Sequence, residues 1–315
     1  MIIPQLSVVI PLYNEEAALP ALFARLYRAL DSLKRTYEII FVNDGSRDRS
    51  AALLADQHAQ RQDVTRVILF NGNFGQHRAI LAGFEHARGQ CVLTLDADLQ
   101  NPPEEIGKFL EKMDQGYDYV GSIRDERKDR LWRHVASRLM NQFRKRITHI
   151  EMTDQGSMMR AYSRRIVDTI NQCREMNTFV PALGYSFAQS PTEIVIKHEQ
   201  RVAGETKYPL YRLIRLNFDL MTGFSIVPLQ LFSMGGMIIS VLSGLLVLVM
   251  FLRRMIIGPE EGGLFTLFGV AFLLIGIALF GIGLLGEYIG RIYQEVRHRP
   301  RYVIAAILEN HPNDG

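Results

Sequence analysis

Cys91-Val-Leu-Thr-Leu-Asp96-Ala-Asp98-Leu-Gln100-Asn-Pro-Pro-Glu104-Glu105 decides how this chain is read. An apolar run of strand length ends on two carboxylates one residue apart, and the Asn-Pro-Pro-Glu that follows is suited to starting a helix. Hard cations such as Mg²⁺ take oxygen ligands, usually one or two carboxylates together with substrate phosphates. An Asp-x-Asp at a strand end therefore suits a metal–diphosphate complex. The same stretch also reads as helix-capping chemistry alone, since an isolated Asp-x-Asp occurs in many unrelated sequences.

On either side, short apolar runs alternate with longer amphipathic ones, the pattern of strands interleaved with helices. Strands are expected at Leu6–Ile10, Glu38–Asn43, Thr65–Leu69, Cys91–Asp96 and Tyr117–Ser122. Helices are expected at Glu15–Leu33, Arg49–Gln62, Gln76–Arg88 and Pro103–Gln115. The fold class is α/β and Rossmann-like, with parallel pairing through right-handed crossovers as the default and ligands bound at the carboxyl ends of the strands. Polar residues collect at those ends: Asn14 and Glu15, then Asn43 and Asp44, Asn71 and Asn73, and Asp96 and Asp98. No G-x-G-x-x-G follows the first strand and no G-x-x-x-x-G-K-[ST] occurs, so neither usual backbone cradle for a diphosphate is present. A cation on Asp96 and Asp98 remains as the grip, with Asp44 placed to hydrogen-bond a ribose or base. Asp44-Gly45-Ser46 reads equally as an ordinary turn.

The 315 residues exceed one ordinary domain, and their hydrophobicity is uneven. Pro228–Leu252 and Gly262–Gly286 contain no Asp, Glu, Lys, Arg or His. Each exceeds the roughly 20 residues needed to cross a hydrocarbon core of about 30 Å. Two membrane spans joined by a tight hairpin are expected over 228–290, against the alternative of a buried helix pair. Arg291, Arg297, Arg299 and Arg301 after the second span, with the cations before the first, put the N-terminal domain (1–205), the tail (291–315) and both termini on the cytoplasmic side. Arg253 and Arg254 in the hairpin dissent. No cleavable leader is apparent, and two cysteines, Cys91 and Cys173, give no disulfide framework. The net charge of +3 is modest, and no nucleic-acid partner is expected.

Two basic amphipathic stretches stand out. Across Arg124–Ile147, Leu131, Val135, Leu139, Phe143 and Ile147 recur about every four residues beside Trp132, among eight Arg and Lys residues from Arg127 to Arg146. Tyr208–Val227 sets Arg212 and Arg215 among apolar residues and leads into the first span; it lies within an expected interfacial segment, 206–227. Such helices lie in the headgroup boundary of a membrane with their cations towards anionic lipid, or else cover the sheet with their basic faces in water. Arg124, Arg133, Arg201 and Lys207 are the candidates for contacts to an acceptor phosphate.

Val8-Val-Ile-Pro-Leu-Tyr-Asn-Glu15, Val42-Asn-Asp-Gly-Ser46 and Asp96-Ala-Asp-Leu-Gln100, in this order and spacing, resemble family 2 glycosyltransferases of the GT-A fold. The two apolar segments narrow the resemblance to polyprenyl-phosphate glycosyltransferases. Gly75-Gln-His-Arg-Ala-Ile-Leu-Ala-Gly-Phe84, Gly204-Glu-Thr-Lys-Tyr208 and Leu284-Leu-Gly-Glu-Tyr-Ile-Gly-Arg-Ile-Tyr293 are most similar to members that move 4-deoxy-4-formamido-L-arabinose from a UDP donor to undecaprenyl phosphate for lipid A modification and polymyxin resistance. The resemblance implies a bacterial inner-membrane enzyme using Mg²⁺ or Mn²⁺, with a homotetramer as its assembly. It puts Pro11, Tyr13, Glu15, Asp44 and Asp96 around the nucleotide sugar, and Asp96, Asp98 and Gln100 around the metal. It also implies catalytic roles for Asp98 and for Asp154, the latter within Thr153-Asp-Gln-Gly-Ser-Met-Met-Arg160, a loop that in relatives lies beside the reacting centre. Gln155 departs from the aromatic residue usual in relatives.

A lipid phosphate with a second pKa near 6 is largely dianionic in the cytosol and needs little help from a general base. Charge stabilisation is then the main task, and a single displacement with inversion the simplest outcome. Asp154 would orient a substrate rather than remove a proton. The alternatives are transfer of glucose or mannose to the same kind of acceptor, and a catalytically silent membrane scaffold that binds nucleotide or lipid. A processive polysaccharide synthase is disfavoured, because two spans make a poor polymer channel and no Q-x-x-R-W motif is present.

Overall fold

The computed structural model describes residues 3–124, 152–154, 156–173, 179–199, 227–258, 264–297 and 299–310. The described residues form a sheet-containing unit, which includes 299–310, and an apolar helical unit within 227–297.

In chain order the sheet unit comprises β1 (Leu6–Leu12), α1 (Leu19–Ser32), β2 (Tyr37–Asn43), α2 (Ser50–Gln60), β3 (Thr65–Phe70), α3 (Gln76–His86) and β4 (Cys91–Thr94). A short 3₁₀ turn at Pro103–Glu105 leads into α4 (Ile106–Asp114), followed by β5 (Tyr119–Arg124), β6 (Arg160–Ser163), α5 (Arg164–Gln172), α6 (Val180–Ser186) and β7 (Pro191–Ile196). The apolar unit holds α7 (Val227–Ile257) and α8 (Leu264–Val296), after which β8 (Ile304–Leu308) returns to the sheet.

Eight strands run in the order β7-β5-β6-β4-β1-β2-β3-β8. β4, β1, β2 and β3 are parallel neighbours, as the alternation of apolar runs predicts. The register sets Leu12 beside Asn43 and Val9 beside Thr94, so Tyr13, Asp44 and Asp96 all leave the sheet at the same edge. Leu6, Val8 and Ile10 of β1 are fully buried against Leu19, Leu22, Leu26 and Leu30, which repeat every three or four residues along α1. Fully burying each such side chain contributes about 1.5–3 kcal/mol.

The sheet is mixed rather than uniformly parallel, since β6 and β8 run antiparallel to their neighbours. β6 is only Arg-Ala-Tyr-Ser, too short to register as an apolar run, and it separates β4 from β5. β8 lies on β3 although the whole apolar helix pair separates them in sequence. Helix α1 begins at Leu19, four residues after the expected Glu15. Asn14 adopts a left-handed φ of 55° and the Glu15 carbonyl accepts from Ala18 and Leu19, so 14–18 form a turn.

Within the apolar unit, Leu229–Ile256 and Val270–Gly290 are long and apolar enough to cross a membrane, with mean hydropathies of 2.5 and 2.3. Val241 is 71 % exposed and Phe272 69 %, whereas the leucines of the sheet core are fully covered. A helix that is apolar on all sides and uncovered suits lipid rather than water.

Candidate active site

The carboxyl edge of β1, β2 and β4 is built by loops that bond to one another. Asp44 N–H donates to the Leu12 carbonyl at 2.9 Å, Asn14 N–H to Ser46 Oγ at 2.9 Å, and Arg47 N–H to Asn14 Oδ1 at 2.8 Å. Glu15 N–H donates to Ser50 Oγ at 3.1 Å. Gly45 has a φ of +69°, and a Cβ there would lie 2.3 Å from the backbone of Gly72, so this approach of two loops requires glycine.

Asp44 is 3 % exposed, and its two oxygens accept from Phe74 N–H at 2.6 Å and Gly75 N–H at 2.8 Å. Burial raises its pKa while those two N–H groups pull it back. The aspartate expected at a ribose or base thus also clamps the loop before α3. The next residue, Gln76, the first of α3, donates its amide to Asp96 Oδ1 at 2.7 Å. Pro11 is buried within β1, where its missing N–H costs least at the strand's end, and Tyr13 projects from the edge, 40 % exposed.

Asp96 and Asp98 follow β4 in a tight turn in which Leu99 holds a left-handed φ of 61° and Asp98 Oδ1 accepts from Gln100 N–H at 3.1 Å. Such strain in a bulky residue persists only where its surroundings hold it, and it gathers at functional sites. Burial pushes the Asp96 carboxyl up to about 7; the Asp98 charge and Glu15 add to this, and the Gln76 amide and Arg124 oppose it. Asn101 donates to Asp96 Oδ2 at 3.3 Å, yet its own buried Oδ1 has no hydrogen-bond partner among the described residues. Two carboxylates beside an unsatisfied amide oxygen fit a hard divalent cation such as Mg²⁺ or Mn²⁺. Among the described residues no group of three His, Cys, Asp or Glu side chains encloses such an ion.

The second half of the site lies where β5 ends. Arg124 grips Asp154 in a two-pronged ion pair, Nε to Oδ2 at 2.6 Å and Nη2 to Oδ1 at 2.9 Å, with Asp154 only 5 % exposed. Gly156 N–H adds a third donor to Oδ1 at 2.9 Å. A Cβ on Gly156 would lie 2.5 Å from Arg124 Nη2, so glycine here admits the guanidinium. Arg160, fully buried at the start of β6, secures the loop from inside. It donates to the carbonyls of Asp154 and Ser157 and, at 2.7 Å, to the Tyr119 hydroxyl. Ser122 bonds Ser157 Oγ at 2.6 Å and donates to the Met159 carbonyl at 2.8 Å.

His198, just beyond β7, is a residue that sequence reasoning missed. Its pKa is lowered by burial first and then by Arg124, while Asp154 and Asp98 act in the opposite sense, so the imidazole sits among these three charges. Glu199 N–H donates to the Gln100 carbonyl at 2.9 Å, and Arg25 bridges Glu199 and Glu104, tying this exit to the segment after Asp98. The available signal was the polar Lys197-His198-Glu199 directly after an alternating strand.

Pro11, Tyr13, Glu15, Asp44, Asp96, Asp98 and Gln100 therefore share one edge, and Arg124 and Asp154 pair with each other beside it. Arg133, Arg201 and Lys207 lie outside the described residues, as do Gln155 and, apart from Arg124 and Val227, both basic amphipathic stretches.

Comparison with known proteins bears on what this edge does. The sequence pattern of Glycosyl transferase family 2 matches residues 7–170. An undecaprenyl-phosphate 4-deoxy-4-formamido-L-arabinose transferase of Aeromonas hydrophila subsp. hydrophila is 46 % identical over 306 residues, 96 % of this chain and 94 % of the relative. Its counterpart in Pseudomonas aeruginosa (strain UCBPP-PA14) is 49 % identical over 311 residues, 98 % of this chain and 91 % of the relative. A mycobacterial protein of known structure, 15 % identical, superposes with a TM-score of 0.50 over 70 % of this chain and 73 % of its own, in keeping with a GT-A-like mixed sheet. Glucosyl-3-phosphoglycerate synthase from Mycobacterium tuberculosis, crystallised with Mn²⁺, UDP-glucose and phosphoglyceric acid, is 16 % identical with a TM-score of 0.48, covering 70 % and 78 % of the two chains.

Proposed function

This chain belongs to glycosyl transferase family 2, and from that premise we propose that it transfers 4-deoxy-4-formamido-L-arabinose from its UDP donor to undecaprenyl phosphate, with inversion, at the cytoplasmic face of the bacterial inner membrane. The observation that carries the reading is the meeting of the Asp96/Asp98 carboxylates with the Arg124–Asp154 pair at one sheet edge. The choice of sugar and carrier rests on the relatives, whose similarity runs through both apolar helices.

Asp96 and Asp98 are the residues that would hold Mg²⁺ or Mn²⁺, with the Asn101 amide and Gln100 beside them. A cation bound there supplies charge neutralisation to the departing diphosphate. Asp44 and the loops of β1 and β2 form the nucleotide side, where Tyr13 offers an exposed ring to a base. An oxygen of the dianionic acceptor phosphate attacks the anomeric carbon. The new carbon–oxygen bond forms as the bond to UDP breaks on the opposite face. No proton need be removed, and Asp154 is not disposed to remove one, because three donors already hold its carboxylate. Asp154 instead aims Arg124, whose guanidinium positions the incoming phosphate; Arg133, Arg201 and Lys207 extend the same role.

The helix pair supplies the anchor. The chain leaves the sheet unit before α7 and comes back to it as β8. The cytoplasmic placement of both termini rests on the positive-inside rule.

The test is a transfer assay with the purified full-length chain in detergent, undecaprenyl phosphate and Mn²⁺ or Mg²⁺, offering UDP-formamidoarabinose, UDP-glucose and GDP-mannose separately. Transfer of the arabinose derivative, lost in Asp98→Ala, is the expected result. Preference for glucose or mannose would keep the mechanism and overturn the sugar, and no transfer with no nucleotide binding would leave a non-enzymatic scaffold.

A further inference from the structure

The segment that follows the second apolar helix does more than cover a sheet edge. Val303, just before β8, accepts from Asn71 N–H at 3.1 Å, so the strand's entry is bonded to the first residue after β3. Tyr302 stacks on Phe70 with ring centroids 4.9 Å apart and planes 9° from parallel. Phe70 in turn meets Phe74 edge-on at 5.7 Å and 87°. The Tyr302 hydroxyl donates to Glu85 of α3 at 2.5 Å. At the other end of β8, Glu309 pairs with Arg66 at 3.1 Å and Arg88 at 3.3 Å, and Arg66 reaches the buried Glu38 at 3.5 Å.

The segment these contacts reach, 71–76, the loop before α3 and the first residue of that helix, grips two candidate site carboxylates. Phe74 and Gly75 give their N–H groups to Asp44, and Gln76 gives its amide to Asp96. Phe74 is both the end of the ring series Tyr302–Phe70–Phe74 and the donor to Asp44 Oδ1. Its ring is held from one side and its backbone N–H fixed on the other. The register between β3 and β8 shifts here, Leu69 pairing with Ala306 and Phe70 with Ile304, so that the extra residue, Ala305, lies on β8 next to the pairing position of Phe70.

We propose that Tyr302, carried on the segment after the apolar helices, is a positioning residue for the nucleotide site: through Phe70 and Phe74 it sets the loop whose N–H groups orient Asp44. The inference rests on the reading of Asp44 as a nucleotide-binding residue. It implies that the donor site is complete only once the chain has passed through the apolar helices and returned to its own sheet.

Binding of UDP with Mn²⁺ to the purified full-length protein, measured calorimetrically, together with the KM for undecaprenyl phosphate, tests it. Tyr302→Ala is expected to weaken UDP binding about tenfold, consistent with losing an aromatic pair and the loop order it imposes, with the acceptor KM unchanged. Tyr302→Phe keeps the stack, loses only the hydroxyl, and is expected to bind within about twofold of wild type. In Asp44→Asn the further loss from Tyr302→Ala should shrink, because the two changes act through one contact. Should the alanine variant not fold, Tyr302→Leu keeps apolar cover without the stack, and the same criteria apply. Wild-type affinity for UDP in a folded Tyr302→Ala or Tyr302→Leu variant would overturn the positioning role and leave the nucleotide reading standing. Failure of the wild type itself to bind UDP would overturn both.

Discussion

The proposed donor and acceptor sides of the edge are satisfied in different ways. On the donor side, Asp44 is held by backbone N–H groups of a neighbouring loop, and Asn14 after β1 is stitched to Ser46 and Arg47 of the loop that carries Asp44. On the acceptor side, Asp154 is held chiefly by a side chain, the Arg124 guanidinium. Backbone donors are fixed once the loops are folded and cannot be lent elsewhere. A guanidinium has five N–H donors in a rigid fork and can engage a phosphate while staying aligned by its carboxylate partner. On the proposed reading, one side is thus a preformed cradle for the donor, and the other a charge aimed at the acceptor.

The largest effect should come where both substrates meet. Asp98→Ala is expected to lower kcat/KM by about 10²–10³, as removal of one preorganised charge-stabilising group does, and chelation of divalent ions should do the same to the wild type. Steady-state transfer rates with added Mn²⁺ check this. Next, Arg124→Lys keeps the charge but loses the two-pronged geometry, and a fall of roughly tenfold to a hundredfold in kcat with an unchanged donor KM is expected. Gly45→Ala imposes a left-handed φ on a residue with a Cβ aimed at Gly72, and of order 1–3 kcal/mol of strain should appear as a lower melting temperature and weaker UDP binding. The smallest effect belongs to the exposed Arg35–Asp114 pair at the far end of the sheet, where Arg35→Gln should cost at most about 1 kcal/mol and leave transfer unaltered.

The same contrast explains what could be read from the sequence. β1, β2, β3 and β4 are predominantly apolar runs, and their ends deliver Asp44, Asp96 and Asp98 to one edge simply because parallel strands share a direction. β6 was illegible because four residues starting with arginine carry no strand signal. Arg160 is buried there for the sake of the Asp154 loop rather than for β propensity. β8 was illegible because its partner is distant in the chain: Arg66 and Glu309 are 243 residues apart yet form an ion pair. Asp154 could be singled out by its motif and Arg124 by the basic stretch it begins, but nothing local indicated that the two bind each other. His198 gave only a polar tripeptide after a strand. Motifs mark the residues, and the pairings between them are tertiary.

The division of the edge into a backbone-held donor side and an arginine-held acceptor side is tested most directly by comparing Asp44→Asn and Asp154→Asn in one steady-state assay, with donor and undecaprenyl phosphate varied in turn. The account predicts that Asp44→Asn raises the donor KM about tenfold and leaves the acceptor KM near wild type. Asp154→Asn should do the converse, raising the acceptor KM or lowering kcat while UDP binds as before. Equal loss of donor affinity in both variants would contradict the division and make the Arg124–Asp154 pair part of the nucleotide cradle.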